Sequence, residues 1–574
     1  MDTLGDLEDK SIEQETHVED GNDRASGEGE YYDLADSSFV STSRSNIDLD
    51  GRLPHAVDEL SRLLWTTHIG KEGETSFQGP SGNFAFQQQP SSNHRDVVAD
   101  PLDAADTDPM AQHYIHNPDI KQDLATSFLK HINVYHHFVD ESFDHDVLFD
   151  PKNPLPLQFL HAAILAVGSC YTKDATAAAA GKAFTAFAES IALECCREHP
   201  SDQVISGLAI LSWMKLGLEE NHMAWMYNAM AASLVIHLGL HFPLPADLNR
   251  PQSTRRTSEA AKTRTFWSVS LLDRMATLML GRNCAIPWRR IKIPFPEICE
   301  HGEGREENTA FALQCRLSYL FDKYMDQIYA FDFDDKDPNS QLQLLMSARD
   351  ALLQFQDIMN EHCPTPTSSS SSSVACLLYS SYYMSMMLIH RPFLAVSHTD
   401  TVRRVAFRSM TTTANASTKV LRTLINSSEM SKMPFPLVHH VLTTAVSHLI
   451  NATSSDDRLR RTSANGLRTC LKALELLQDT WQTRASHAIA AIQELANRWH
   501  IVTALPINFS EPLVGRVACL GELGSSQDDF ALQGLGEYGI PNDFALPLFD
   551  SNIPDLFPSY DSSSMTARYD ALQG

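Results

Sequence analysis

His136, His137, Asp140, Glu141 and His145 lie within ten residues of one another. Helical spacing puts His137 and Glu141 on one face, where an imidazole and a carboxylate could share a metal ion. The chemistry these residue types would support is that of an all-α metal-dependent enzyme using the His136–His145 region. In helical bundles such sites also need carboxylate–histidine motifs on other helices, and the sequence offers none. The alternative, solvated polar groups flanking a helix end, asks for nothing more. His439-His440 is likewise an isolated histidine pair in the sequence, with no second motif to complete a metal site. Gly534, Gly536 and Gly539 satisfy G-x-G-x-x-G, but no strand precedes them and no helix follows, as a pyrophosphate site requires. No Walker A loop, G-x-S-x-G or H-E-x-x-H occurs. The residues therefore nominate no catalytic, cofactor-binding or metal set, and the chain reads as a non-enzyme.

The ten cysteines contain no C-x-x-C pair. Neither a zinc module nor a disulfide framework is indicated, and reduced intracellular thiols are the simplest reading. Net charge is −27 over 574 residues. So acidic a chain is repelled by phosphate backbones and anionic membranes. The first residues lack the apolar core of a signal peptide, and no run approaches the ~18 apolar residues of a membrane span.

The elements that would carry these residues are helices. Residues 1–50 hold fifteen Asp or Glu against Lys10, Arg24 and Arg44, too little apolar surface to order a tail. Residues 51–110 read as a linker with one patterned piece, Phe77 to Phe86, containing Gly79-Pro80-Ser81. From about residue 111 to 505 helical periodicity takes over. Leu124, Phe128, Ile132, Tyr135 and Phe138 fall on one face. Further helices are predicted over 157–171, 175–196, 204–217, 224–238, from near Lys262 to Leu280, and over 310–331, 341–359, 374–389, 401–425, 437–452, 464–481 and 485–503. The 224–238 helix is apolar around almost its whole circumference and should be buried on all sides. Gly239 and Gly281 sit where left-handed caps belong. Pro364 to Ser373 (PTPTSSSSSS) reads as a surface loop. Between Arg516 and Arg568 eight acids alternate with Phe, Tyr, Leu and Ile and no base intervenes. That is the composition of a disordered activation segment, against the alternative of a tail packed on the helical domain. The fold class is thus all-α: a large multi-helix domain between disordered acidic tails at 1–50 and 506–574.

Within 224–296, Ala224-Trp225-Met226-Tyr227, Met230-Ala231, Leu238-Gly239-Leu240-His241, Arg264-Thr265-Phe266-Trp267, Leu272-Asp273-Arg274, Leu280-Gly281-Arg282 and Ala285-Ile286-Pro287 follow in order, and His390-Arg391-Pro392-Phe393 closes a later helix. In order and spacing this set resembles the fungal-specific transcription factor domain, the middle homology region of fungal zinc-cluster regulators. The family usually carries acidic residues after the Ile-Pro, where this chain has Trp288-Arg289-Arg290-Ile291-Lys292. The resemblance makes Trp225, Gly239, His241, Arg264, Trp267, Asp273, Arg274, Gly281, Arg282, Pro287, His390, Arg391 and Pro392 structural motif residues.

What the resemblance implies is a nuclear transcription regulator, of a kind that often controls metabolic or secondary-metabolite genes. Its helical domain would dimerise with itself or a relative, or respond to a metabolite, and its C-terminal segment would meet the transcription machinery. The six closely spaced cysteines of a zinc cluster, whose thiolates must converge on two metal ions, are not in this sequence. Zinc would enter only with such a cluster upstream. Otherwise DNA is reached indirectly, through a DNA-bound partner. An inhibitory partner of a DNA-binding relative is the third reading. Two basic groups, Arg255, Arg256, Lys262, Arg264 and Arg458, Arg460, Arg461, the latter expected in a loop, read as nuclear-import patches or as solvated faces.

Overall fold

Capping residues and apolar stripes set the helices. In the computed structural model the described residues are 55–57, 59–60, 66–69, 75–78, 117–140, 150–243 and 252–501, without 300, 303, 331, 367–370 and 396–397. Backbone alone is described at 66–69, 75–78 and 252–258. The 1–50 tail, the Gly79-Pro80-Ser81 turn and the C-terminal acidic segment lie outside the described residues.

Helices α1 (Pro118–Phe128), α2 (Leu155–Gly168), α3 (Ala175–Glu198), α4 (Asp202–Gly217), α5 (Asn221–His237) and α6 (Gln252–Leu280) come first. Then follow α7 (Arg305–Ile328), α8 (Pro338–His362), α9 (Ser373–His390), α10 (Asp400–Asn426), α11 (Pro436–Ala452) and α12 (Asp457–Arg498). Side-chain caps explain many of the starts. Asn117, Asp174, Ser201, Asp337, Ser372, Thr399 and Asp456 each accept from a first-turn amide, satisfying donors the helix itself cannot. The predicted glycine caps are present: Gly239 has φ 68° and Gly281 φ 62°.

The first six helices pack as neighbours, with α2 against α1, α3 and α4, and α4 against α5 and α6. Helix α7 joins α6 to α8 and α9, and α9 to α12 form the second group. Three helices, α4, α9 and α11, are buried along essentially their whole length. Helix α11 carries many polar groups into that interior. Thr443, Thr444 and Ser447 donate to the carbonyls four residues back, so none of these three hydroxyls is stranded. Where α1 ends, a π-turn (Leu129–Asn133) and one last turn (Val134–His136) carry the chain to His137, which is left-handed at φ 50°.

Several expectations are corrected. The 224–238 helix is not buried on all sides. Met226 is 46% and Ile236 37% exposed, on the side away from α4 and α6. The sequence signal was apolarity without periodicity, which cannot show that one face lacks a neighbour. The helix expected near Lys262 begins at Gln252. The helices expected at 464–481 and 485–503 are present as the two segments of α12, separated by a kink where Trp481 leaves helical geometry (φ −114°, ψ 53°), but the first starts earlier, at Asp457, and the second ends at Arg498. Arg458, Arg460 and Arg461 stand in its first turns, not in a loop. The 51–110 linker holds structure as well. Strands β1 (Thr66–Ile69) and β2 (Thr75–Gln78) form an antiparallel hairpin pairing Thr66 with Gln78. Ala56, Val57 and Leu60 are buried, and Glu59 accepts from Arg498 at 3.1 Å and from Trp499 at 3.1 Å. No helix among the described residues is long and apolar enough to cross a membrane.

Gly168 ends α2 against α1, and a Cβ there would stand 2.0 Å from the Leu124 carbonyl oxygen. Backbone cannot yield as a side chain can. Gly168→Ala should therefore cost ~1–3 kcal/mol, the usual overpacking penalty, read as a lower midpoint of thermal unfolding by circular dichroism.

Candidate functional site

Asp273 and Arg274 occupy consecutive positions on α6, both within the core, at 0% and 4% side-chain exposure. The Asp273 carboxylate accepts from Asn228 Nδ2 of α5 at 2.8 Å and from the Ala285 and Ile286 amides at 3.1 and 2.9 Å. The Arg274 guanidinium donates to the Ile286 carbonyl at 2.9 Å and to Asp322 of α7 at 3.0 Å. It also reaches the Ser270 carbonyl and hydroxyl at 3.2 and 3.0 Å. The Cys284 thiol meets the other Asp322 oxygen at 3.2 Å. Residues 284–286 are irregular backbone held among helices, where unpaired peptide groups would be costly. The charged pair supplies those partners and ties α5, α6, α7 and the 281–287 turn together. Burial raises the pKa of Asp273, while Arg274, Asn228 and the two amides pull it down.

The neighbouring motif residues fasten the segment that follows. The His241 carbonyl accepts from the Lys292 and Ile293 amides at 2.9 and 3.2 Å. Trp267 donates to the Pro294 carbonyl at 2.8 Å and stacks on Phe295, ring centroids 4.5 Å apart. Arg264 forms an ion pair with Asp140. At the end of α9, His390 Nδ1 lies 2.7 Å from the Met386 carbonyl, and the Arg391 guanidinium stands 5.8 Å over the Tyr329 ring. Arg391 and Pro392 open the short turn Arg391–Leu394.

Beside the charged pair lies a cavity of about 700 Å³. It is bounded by α6, α7, α9, the start of α11 and the 281–289 turn. Trp225, Arg274, Gly281, Arg282 and Pro287 line it directly. At its rim the Arg282 guanidinium sits 5.0 Å over the Trp225 ring. The Arg289 guanidinium sits 4.6 Å over Trp288 and pairs with Asp326 at 3.0 Å. His136, His439 and His440 also line it.

The histidine-rich stretch does not converge. His136 is buried and accepts from Trp213 Nε1 at 2.9 Å. His137 stacks on Phe311 with centroids 4.4 Å apart. Asp140 belongs to Arg264, and Glu141 and His145 lie outside the described residues. No group of three or more His, Cys, Asp or Glu among the described residues could hold a metal ion. Spacing alone missed Asn228, Asp322 and Cys284, which complete the charged network. It also missed that His136 and His439-His440 face one cavity across some three hundred residues of chain. Local spacing holds no signal for any of these, because each is set by which helices pack.

Residues 125–318 match the family described as fungal specific transcription factor domain. The match covers the Trp225 to Pro287 motif set and the whole Asp273–Arg274 pair. Residues 125–318 are a fungal specific transcription factor domain. The chain is 31% identical over 123 residues to a transcription factor of Fusarium pseudograminearum, covering 21% of this chain and 14% of that protein. It is 21% identical over 517 residues to an uncharacterized transcriptional regulatory protein of Schizosaccharomyces pombe, covering 83% of this chain and 79% of that one. The chain thus spans about a seventh of the first relative and most of the second.

Two outcomes follow. Asp273→Ala strands the Asn228 amide and two loop amides and leaves Arg274 with Asp322 as its one carboxylate. It should lower stability by ~3–5 kcal/mol, the usual cost of breaking a buried ion pair, and hydrogen exchange should show the Ala285 and Ile286 amides unprotected. The buried histidines set the pH response. Burial pushes His136, His439 and His440 down to about 3, and His137, His390 and His448 down to about 4. In the unfolded chain histidine titrates near ~6.5, so below that pH the unfolded state takes up protons that the fold refuses. Stability is full above pH ~6.5 and falls towards pH ~4 by ~1.4 kcal/mol per pH unit for each histidine. Thermal midpoints measured from pH 7 to 5 should drop steeply. A His439→Gln/His440→Gln variant should show a shallower slope, and an unaltered slope would refute the assignment.

Proposed function

We propose that the protein is a nuclear transcription regulator that works through protein contacts. The observation carrying this reading is the domain match over residues 125–318, with Asp273 and Arg274 of its motif set joined in one buried network. The names of both relatives, a transcription factor and a transcriptional regulatory protein, point the same way.

In this reading the helical body is the scaffold, and DNA is reached through a DNA-bound partner or a module outside this sequence. Net charge of −27 supports indirect contact, since the bulk of the chain repels phosphate. The segment beyond Arg516 supplies Phe, Tyr and Leu side chains kept in solution by acids, the pattern that suits capture by an apolar groove of the transcription machinery. Control of a metabolic or secondary-metabolite gene set, and pairing with itself or a relative, belong to the same proposal.

The test is a fusion of residues 515–574 to a heterologous DNA-binding domain. A reporter raised well above the unfused domain is expected. Replacing Phe544, Phe549 and Phe557 with Ala should return it to background. A silent reporter would remove activation and favour an inhibitory partner.

A further inference from the structure

Among the cations that line the cavity, Arg282 differs from its neighbours. Arg274 is paired with Asp322 at 3.0 Å and Arg289 with Asp326 at 3.0 Å. The half-buried Arg282 guanidinium has neither an ion pair nor a hydrogen bond among the described residues, and only the Trp225 face, 5.0 Å away, attends it. Burial lowers its pKa, so the cation gives up part of its hydration with only that ring face in return. In a chain with 72 acids against 45 bases, a cation left without a carboxylate at a cavity wall is an open anion site. Its planar fork matches a carboxylate, which takes two parallel N–H bonds.

The rest of the cavity constrains what carries that carboxylate. About 700 Å³ falls within the range of small-molecule sites. Trp225, Trp288 and Phe321 offer ring faces, and Met275, Met325 and Met384 offer polarisable thioethers. Aromatic rings stack on such faces and thioethers pack at their edges. His136 adds a polar point deeper in. Its Nε2 accepts from Trp213, so the neutral ring carries its proton on Nδ1, which is buried without a partner.

We propose that this cavity binds a planar aromatic carboxylic acid, its carboxylate on Arg282 and its ring between the Trp225 and Trp288 side chains. An acceptor oxygen at the far end of such a ligand would reach the His136 donor. Bound there, the ligand bridges α5, the 281–289 turn, α7 and α9. That makes it an effector for the helical body, a role that rests on the regulator reading; the binding itself does not.

The experiment titrates the full chain with pyrene-1-butanoate and with the neutral 1-pyrenebutanol, followed by quenching of tryptophan emission. The acid should saturate at one molecule per chain and bind at least tenfold tighter than the alcohol, as a charge-assisted pair implies. Arg282→Gln should weaken the acid by roughly tenfold to a hundredfold and leave the alcohol unchanged. Trp225→Leu should weaken both. Absence of saturable binding, equal affinity for acid and alcohol, or an acid affinity untouched by Arg282→Gln in a variant with the wild-type melting profile would each overturn the proposal. If Arg282→Gln does not fold, the acid-against-alcohol ratio on the wild-type chain decides. A failed titration removes the ligand and leaves the regulator reading to the reporter assay. A silent reporter removes that reading and leaves the binding result standing.

Discussion

The interior of this protein depends on one buried ion pair used as a backbone clamp. Asp273 accepts from the Ala285 and Ile286 amides, and Arg274 donates to the Ile286 carbonyl. Alone, a buried pair of charges rarely gains enough Coulomb energy to offset its lost hydration. Here Asn228, Ser270 and Asp322, from α5, α6 and α7, take up much of the remaining bonding capacity of both groups, and only Arg274 Nε is left without a partner. The energetic consequence is asymmetric. The complete network is modestly stabilising, whereas any broken member leaves a charge stranded in the core.

The same clamp keeps space open. The 281–287 turn buries the Ile286 side chain, and the hydrogen bonds that hold its backbone leave Arg282 and Pro287 outside the core. Gly281, Arg282 and Pro287 therefore stand along a cavity wall, facing the aromatic and Met side chains of α7 and α9. Arg274 spends its charge on Asp322, and Arg282, eight residues on, keeps its own. The Trp288-Arg289-Arg290 departure from the usual acidic pattern falls at this rim and gives it a cationic, aromatic edge.

A second theme is neutrality in a chain rich in histidine. His136 meets Trp213 edge-on, His390 bonds to the Met386 carbonyl, and His448 of α11 lies 2.7 Å from the Thr418 hydroxyl. Trp213 and Trp481 meet edge-on at 5.5 Å, with Phe435 against both. In that surrounding imidazole serves as a polar side chain without charge. The His-rich stretches therefore belong to core packing, and the metal-site reading of His136–His145 finds no convergence among the residues described.

Sequence by itself determined the helical class, nearly every helix, both glycine caps and the motif set, because periodicity, capping residues and turn chemistry act within a few residues of chain. It also placed Asp273 and Arg274 in that motif set. Only the tertiary structure decided which residues partner them. Asn228 lies forty-five and Asp322 forty-nine residues from Asp273, on helices whose relative placement no local pattern encodes. The open face of α5, the kink at Trp481 between the two segments of α12 and the cavity beside Arg282 were likewise decided there. Each depends on which surface meets which, a matter of long-range packing that leaves no mark on the spacing of residues along the chain.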